Sequence, residues 1–494
     1  MPPTALVDRD APRDALRELL TRPGPSLALV YGRRRVGKTF LLSHTWPDHQ
    51  TFYFVAADTT AAVNRGELLD AVARHFNLEL DPADFPTWRT VFRLLVDLPA
   101  PKDGPLAVVL DEFQYLVDGD PSIPSQLAAV LDVSRDRRPF VLALSGSVVR
   151  TMEQLAEGGA PLYGRLSTTL RLDPFDYWDT AAMVPFADAR TKAIAYGLYG
   201  GTPRYLASLR DDRSFADNVA ADILAPNGQV RLQVESVIDQ ERGLRNAEGY
   251  NAVLRAVGRG RTLANDIAQF AGLETGTALR TMLDTLVDLG YLTTHRNLDA
   301  PRNAPYRYGL ADPALRFQAA VVSRYRSELA TSNPRAVWRA YVERQVDQYM
   351  GLVFERMAEQ VYHRLREPQD LPMLEQWGRW EGTDRAGTPR EIDIVARLSD
   401  GRMMTGAVKW GVLDGSVHIR HLRDLEALAE SGRAWAHDAL ASNAPLIYVT
   451  GGGFAPDFAA VTQASGHPVV TWTLDDLYGP HPPRRRSRWP SRRA

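Results

Sequence analysis

From about residue 27 to residue 175, short apolar runs (SLALVYG, TFYFVAAD, LAVVLDE, FVLALSGS and STTLRLDPF) alternate with stretches of helical periodicity. That alternation predicts a parallel α/β sheet. Residues 176 to 245 read as helices broken by the turn GGTP. Between 250 and 330 come three helical stretches, the short strand YLTTHR, a Pro/Asn-rich turn and a second strand, YRYGLAD. Three helices followed by a two-stranded wing is the winged-helix order. After SNPRAV, a long amphipathic helix over about 337 to 366 leads to a second α/β unit. Its strands are expected near PMLEQWG, REIDIVARL, MTGAVKW, APLIYVT and HPVVTWT. The pattern divides the chain at 1–175, 176–245, 246–332 and 333–480, with a proline- and arginine-rich tail at 481–494 expected to be disordered.

Composition narrows the class. At 494 residues the chain is too long for one ordinary core, and its 45% hydrophobic and 24% charged fractions are those of a globular protein. Cysteine is absent, which excludes disulfides, thiolate zinc sites and thiol catalysis and suits a reducing cytosol. The first residues lack an apolar signal core, and no apolar run approaches membrane-spanning length, so a cytoplasmic protein without membrane contact is expected. A net charge of −2 supplies no general attraction for polyanions, so nucleic-acid contact requires a local patch.

The chemistry begins at GRRRVGKT, Gly32 to Thr39, which fits G-x-x-x-x-G-K-T between an apolar strand and a helix. There the glycines let backbone N–H groups wrap phosphates, and the helix start adds its positive end. Lys38 is placed to reach the β- and γ-phosphates of ATP, and Thr39 to ligate Mg²⁺. Gly32, Arg33, Arg34, Arg35, Val36, Gly37, Lys38, Thr39 and Phe40 form the expected nucleotide-binding run, the three arginines filling variable and solvated positions. The strand LAVVLDEFQYL ends in Asp111, suited to the Mg²⁺ shell, and Glu112, suited to activate the attacking water. FVLALSGS ends in Ser145 and Ser147, which either sense the γ-phosphate or simply form a tight strand-end turn.

Taken in order, GRRRVGKT, LDEFQYL, LSGS, PLYGRLSTTLRLDPF and YGLYGGTPRYL resemble the archaeal and bacterial ATPase family related to the STAND branch of AAA+ proteins. In that branch a winged helix follows the ATPase. The resemblance implies an α/β P-loop core with a helical lid, and a Gly201–Pro203 turn packed near the nucleotide. It also implies that Arg165 lies near the phosphate-sensing surface and that VDRD, at residues 7 to 10, borders the adenine pocket.

The helix around Leu279, Met282, Leu283, Leu286 and Leu289 buries one face and offers Thr275, Thr277 and Arg280 near its start, where a recognition helix meets DNA. The wing adds Arg296, Arg302 and Arg307, with Asp284, Asp288 and Asp299 close in sequence, and winged helices also serve as protein-binding modules. The last unit resembles the PD-(D/E)XK nuclease-like domain found at the end of many members of the same family. That fold gathers a helix glutamate, a strand aspartate and Glu-x-Lys around a metal ion, which maps Glu355, Asp393 and Lys409 onto this chain. Lys409 is one of only four lysines, with Lys38, Lys102 and Lys192, in a chain that otherwise uses arginine. Where the family has the carboxylate of Glu-x-Lys, this chain has Ala407, which removes a metal ligand. Glu391, two residues before Asp393 on one strand face, is the available substitute.

These readings give an ATP-binding, ATP-hydrolysing switch with a degenerate nuclease-like domain. Its expected partner is DNA, helped by the arginine tail. The alternatives are an ATP-controlled metal-dependent nuclease and a signalling ATPase that binds protein partners or itself.

Overall fold

The computed structural model describes residues 7–479 except 103, 135–136, 242–243 and 245. By compactness the chain forms two units. One takes Met1–Phe175, Thr202–Ala207 and Glu241–Leu244, and the other takes Asp176–Gly201, Ser208–Gln240 and Arg245–Ala494. The helical stretch expected at 176–245 therefore divides, two short segments of it packing with the first unit.

The first unit is built on strands β1 (Pro25–Tyr31), β2 (Thr51–Val55), β3 (Leu106–Asp111), β4 (Phe140–Gly146) and β5 (Leu166–Arg171). They form one parallel sheet in the order β2-β3-β4-β1-β5. Strands β3 and β4 are buried along their whole length, as β1 is beyond its first residue, which is why they read as continuous apolar runs rather than alternating ones. Ala28, Val30, Val109, Val141 and Ala143 share a cluster with Leu16 of the first helix and with Leu41 and Leu42 of the helix Lys38–Ser43. This packing brings the ends of β1, β3 and β4 side by side.

Within the second unit, helices Ala247–Gly258, Ala264–Ala271 and Thr277–Asp288 precede the antiparallel pair β6 (Leu292–His295) and β7 (Arg307–Leu310). Leu279, Leu283, Leu286 and Leu289 are buried, as their spacing predicts. The helix Glu343–Leu365, entered through a π turn at Trp338–Val342, leads to β8 (Leu374–Thr383), β9 (Pro389–Leu398), β10 (Met403–Lys409), β11 (Leu446–Thr450) and β12 (Val469–Thr473). The second sheet runs β12-β11-β10-β9-β8, with β8, β9 and β10 antiparallel and β10, β11 and β12 parallel.

The hairpin after β6 does not offer all its charges to solvent. Asp299 accepts from Trp380 Nε1 (3.1 Å), Trp435 Nε1 (3.1 Å) and Arg433 (3.0 Å). Asn297 exchanges two hydrogen bonds with the backbone of Glu381, and Arg307 Nε pairs with Glu381 Oε1 at 2.7 Å. Of the three wing arginines, Arg307 is thus paired with an acid of β8. Arg296 stacks over Tyr306 at 4.7 Å and donates to the carbonyl of Arg302.

Candidate nucleotide site

The loop after β1 needs its first glycine. Gly32 has φ +154°, and a Cβ there would lie 2.2 Å from the carbonyl oxygen of Leu172. The loop is pinned from outside by Arg9 of the VDRD stretch, whose guanidinium donates to the carbonyls of Val36 (3.3 Å) and Asp173 (2.7 Å) and lies 4.7 Å over the Phe175 ring. Pro203 sits against the loop as well, its Cγ 3.9 Å from where a Cβ on Gly37 would be. Its neighbour Gly201 belongs to the other unit.

Lys38 is buried and bends back on its own loop, donating from Nζ to the carbonyls of Gly32 (2.9 Å) and Arg33 (3.1 Å). Burial lowers its pKa, while the charges of Glu112, Asp111 and Glu241 oppose that shift. The arginines depart from the expected solvated character. Arg33 is buried, and Arg34 donates to the Tyr115 hydroxyl at 3.0 Å. Val36 is in the core, and Phe40 is exposed and stacked on His44.

Asp111 Oδ2 accepts from Thr39 Oγ1 at 2.8 Å and from the Tyr53 hydroxyl at 2.6 Å, and Oδ1 accepts from the Glu112 backbone N–H. Burial and the Asp111 charge raise the Tyr53 pKa, so this phenol stays a donor. Glu112 has a left-handed backbone (φ 53°) that turns it off the end of β3. Its Oε2 accepts from Ser147 Oγ at 2.7 Å and from Gln114 Nε2. The structure thus gathers Lys38, Thr39, Asp111, Glu112 and Ser147 at the ends of three neighbouring strands. It does not bring Arg165 to them. Arg165 makes a two-pronged ion pair with Asp132 (3.0 and 2.7 Å) and donates to the carbonyl of Pro161. Tyr53 and Gln114 escaped the sequence reading. The only local signal was a hydroxyl within the strand TFYFV and an amide directly after an acidic strand end.

In the second unit Glu355 of the helix Glu343–Leu365 and Asp393 and Lys409 of the sheet, the residues mapped from the nuclease resemblance, lie within electrostatic reach of one another. Burial, then the charge of Asp393, pushes the Glu355 carboxyl up to about 7. Asp393 is raised by burial and accepts from the Val408 N–H at 2.9 Å. Arg379 of β8 sits among the acids, pairing with Glu381 and lying 3.7 Å from both Glu355 and Glu391. Ala407 is packed with Leu413, Leu446, Tyr448 and Phe458. Among the described residues no three acids or histidines are grouped to hold a metal ion.

A parallel sheet in this order, with a lysine-bearing glycine loop after β1 and an Asp-Glu pair ending β3, is the α/β arrangement of a P-loop ATPase core. Residues 6–209 match a family described as an ATPase domain predominantly from Archaea, and residues 319–419 match one described as archaeal and bacterial proteins of unknown function. Over residues 6–209 the chain is thus similar to that ATPase family. An uncharacterized protein of Methanocaldococcus jannaschii is 23% identical over 426 residues, 85% of this chain and 90% of its own. Among solved structures, the chain is similar to a Walker-type ATPase of Pyrococcus abyssi, with 22% identity, a TM-score of 0.45, and 65% of this chain and 96% of that one covered. It is also similar to the Orc2 protein of Aeropyrum pernix in ADPNP–ADP complexes, with 17% identity, a TM-score of 0.43, and coverage of 67% and 97%. Among the described residues no helix is long and apolar enough to cross a membrane.

Proposed function

We propose that the first unit binds ATP with Mg²⁺ and hydrolyses it, and that the winged helix carries the nucleotide state to a partner. The observation that carries the reading is the contact of Thr39 Oγ1 with Asp111 Oδ2 at 2.8 Å. Two hard oxygen donors, a loop hydroxyl and a strand-end carboxylate, meet there, and that donor set would suit a divalent ion. Thr39 and Asp111 would hold Mg²⁺, which would supply positive charge against the nucleotide's phosphates. Lys38 exchanges its loop carbonyls for phosphate oxygens, a favourable trade for a buried ammonium. Ser147 has one hydroxyl proton, shared between Glu112 and the γ-phosphate position, and Glu112 takes the proton of the attacking water. Calorimetry tests the reading: wild type takes up ATP and Lys38→Ala does not. Equal affinity in the two proteins would overturn it.

The partner has two readings. DNA is served by the exposed Thr275, Thr277 and Arg280 at the start of the third helix, in a cytoplasmic setting. A protein partner is favoured by the docked hairpin and by Glu274, Asp284 and Asp288, acids that share that exposed face with Arg280. A DNA mobility shift that weakens steeply with salt decides for DNA. The arginine tail invoked for DNA lies outside the described residues. In the second sheet we read a nuclease-like fold whose catalysis has lapsed, with Arg379 occupying the acidic ground that a metal ion would need.

A further inference from the structure

We infer that Gln114 is a positioning residue for ATP hydrolysis: its carboxamide anchors one oxygen of Glu112 so that the other faces the attacking water. The inference rests on the ATPase reading and goes beyond it, because nothing in the phosphate-loop chemistry requires an amide at this place.

Gln114 is fully buried, although it lies only two residues beyond the half-buried Glu112. Its Nε2 donates to Glu112 Oε2, and the same nitrogen lies 3.4 Å from Ser147 Oγ. Ser147 donates to that same oxygen at 2.7 Å. Two donors on Oε2 fix both the place and the rotation of the carboxylate. Oε1, which carries no hydrogen bond from any described residue, is the atom left to accept a proton. The other end of the amide shows which half is in use. Gln114 Oε1 is buried without a hydrogen-bond partner, so the side chain tolerates an unsatisfied acceptor in order to place its NH₂ group.

The surroundings hold the amide in place. A Cβ on Gly146 would lie 2.5 Å from Gln114 Oε1 and 2.4 Å from Met152 Sδ, so the amide packs into the space that this glycine at the end of β4 leaves. The backbone between the two residues is tied down as well: Phe113 N–H donates to the Ser145 carbonyl at 2.8 Å. Gln114 therefore moves with β4, and so does the carboxylate it holds. The two donors differ in what they are free to do. Ser147 can turn its hydroxyl towards a phosphate, whereas the packed amide has no second place to go. The carboxylate thus keeps one anchor when the serine leaves.

The experiment compares wild type with Gln114→Met, which keeps the length of the side chain and removes the donor. ATP affinity measured by calorimetry should change less than about 2-fold, while kcat falls about 10- to 100-fold, the scale of a misplaced catalytic group. Gln114→Asn, which withdraws the amide by one methylene, should fall between them. The decisive readout is coupling. In a Glu112→Gln background, Gln114→Met should add almost nothing to the loss, because the group it positions is already gone. An unchanged kcat in Gln114→Met, or an equal further loss in the Glu112→Gln background, would overturn the assignment and leave the ATPase reading standing. A wild type that binds no ATP would overturn both.

Discussion

The nucleotide site and the carboxylate–lysine cluster of the second sheet both set acids and a lysine around the strands of a sheet, and they hold those charges in opposite ways. At the first, Asp111 and Glu112 rest on Thr39, Tyr53, Ser147 and Gln114, all neutral donors, and Lys38 rests on carbonyls. Thr39, Ser147 and Lys38 can exchange these partners for a ligand without breaking an ion pair. At the second, Arg379 stands among Glu355, Glu381 and Glu391. A guanidinium stays charged at every relevant pH and cannot be displaced by a proton. A site prepared for a charged ligand leaves its own charges on exchangeable partners, and a closed site carries its counterion in the sequence.

The comparison breaks most sharply at catalysis. Glu112→Gln should retain ATP affinity and lose turnover by about 100-fold or more, the scale of a lost general base, as read by steady-state phosphate release. Losing affinity instead would mean that Glu112 holds the nucleotide rather than the water. The corresponding repair of the second site should fail. Ala407→Glu places a carboxylate beside Leu446, Tyr448 and Phe458, where a charge without a partner costs on the order of 3 kcal/mol. Urea denaturation should show the loss, and plasmid DNA should remain uncut with Mg²⁺ or Mn²⁺. Nicking by the unaltered protein that disappears in Asp393→Ala and Lys409→Ala would revive the nuclease reading, with Glu391 as the ligand.

The smallest effect is electrostatic. Glu355 titrates near 7 in the folded protein against an ordinary value of 4.5. The folded state then binds the Glu355 proton more tightly than the unfolded one. Its contribution to stability is fully present below about pH 4.5, falls as pH rises to about 7, and is flat above that. Glu355→Gln removes this slope and should stabilise the protein at pH 8 by about 1–3 kcal/mol. Thermal melts at pH 5 and pH 8 measure it. A pH 8 gain no larger than the pH 5 gain would place the carboxylate in water.

How much was legible follows the range of each interaction. The phosphate loop could be read because its glycines, lysine and threonine all lie within the eight-residue run Gly32 to Thr39 and close on one another within a single turn of chain. The Asp-Glu strand end and the five strands of the second sheet were visible for the same reason, as local runs. Arg33 was expected in solvent and is buried, and Arg307, one of the basic set of the wing, is paired with Glu381. Both depend on chain far away in sequence, and composition rich in arginine does not say which arginines are covered.

By itself, then, the sequence determined the order of strands and helices and the class of nucleotide chemistry, since each is written in residues adjacent along the chain. Only the tertiary structure decided that Tyr53 reaches Asp111, that Gln114 turns its amide to Glu112, and that Arg379 lies among the acids of its sheet. Those choices depend on which strands become neighbours and on which face each side chain leaves. The parallel order β2-β3-β4-β1-β5 puts residues from 53 to 147 at one strand end, a juxtaposition set by packing of the whole sheet and by no local periodicity.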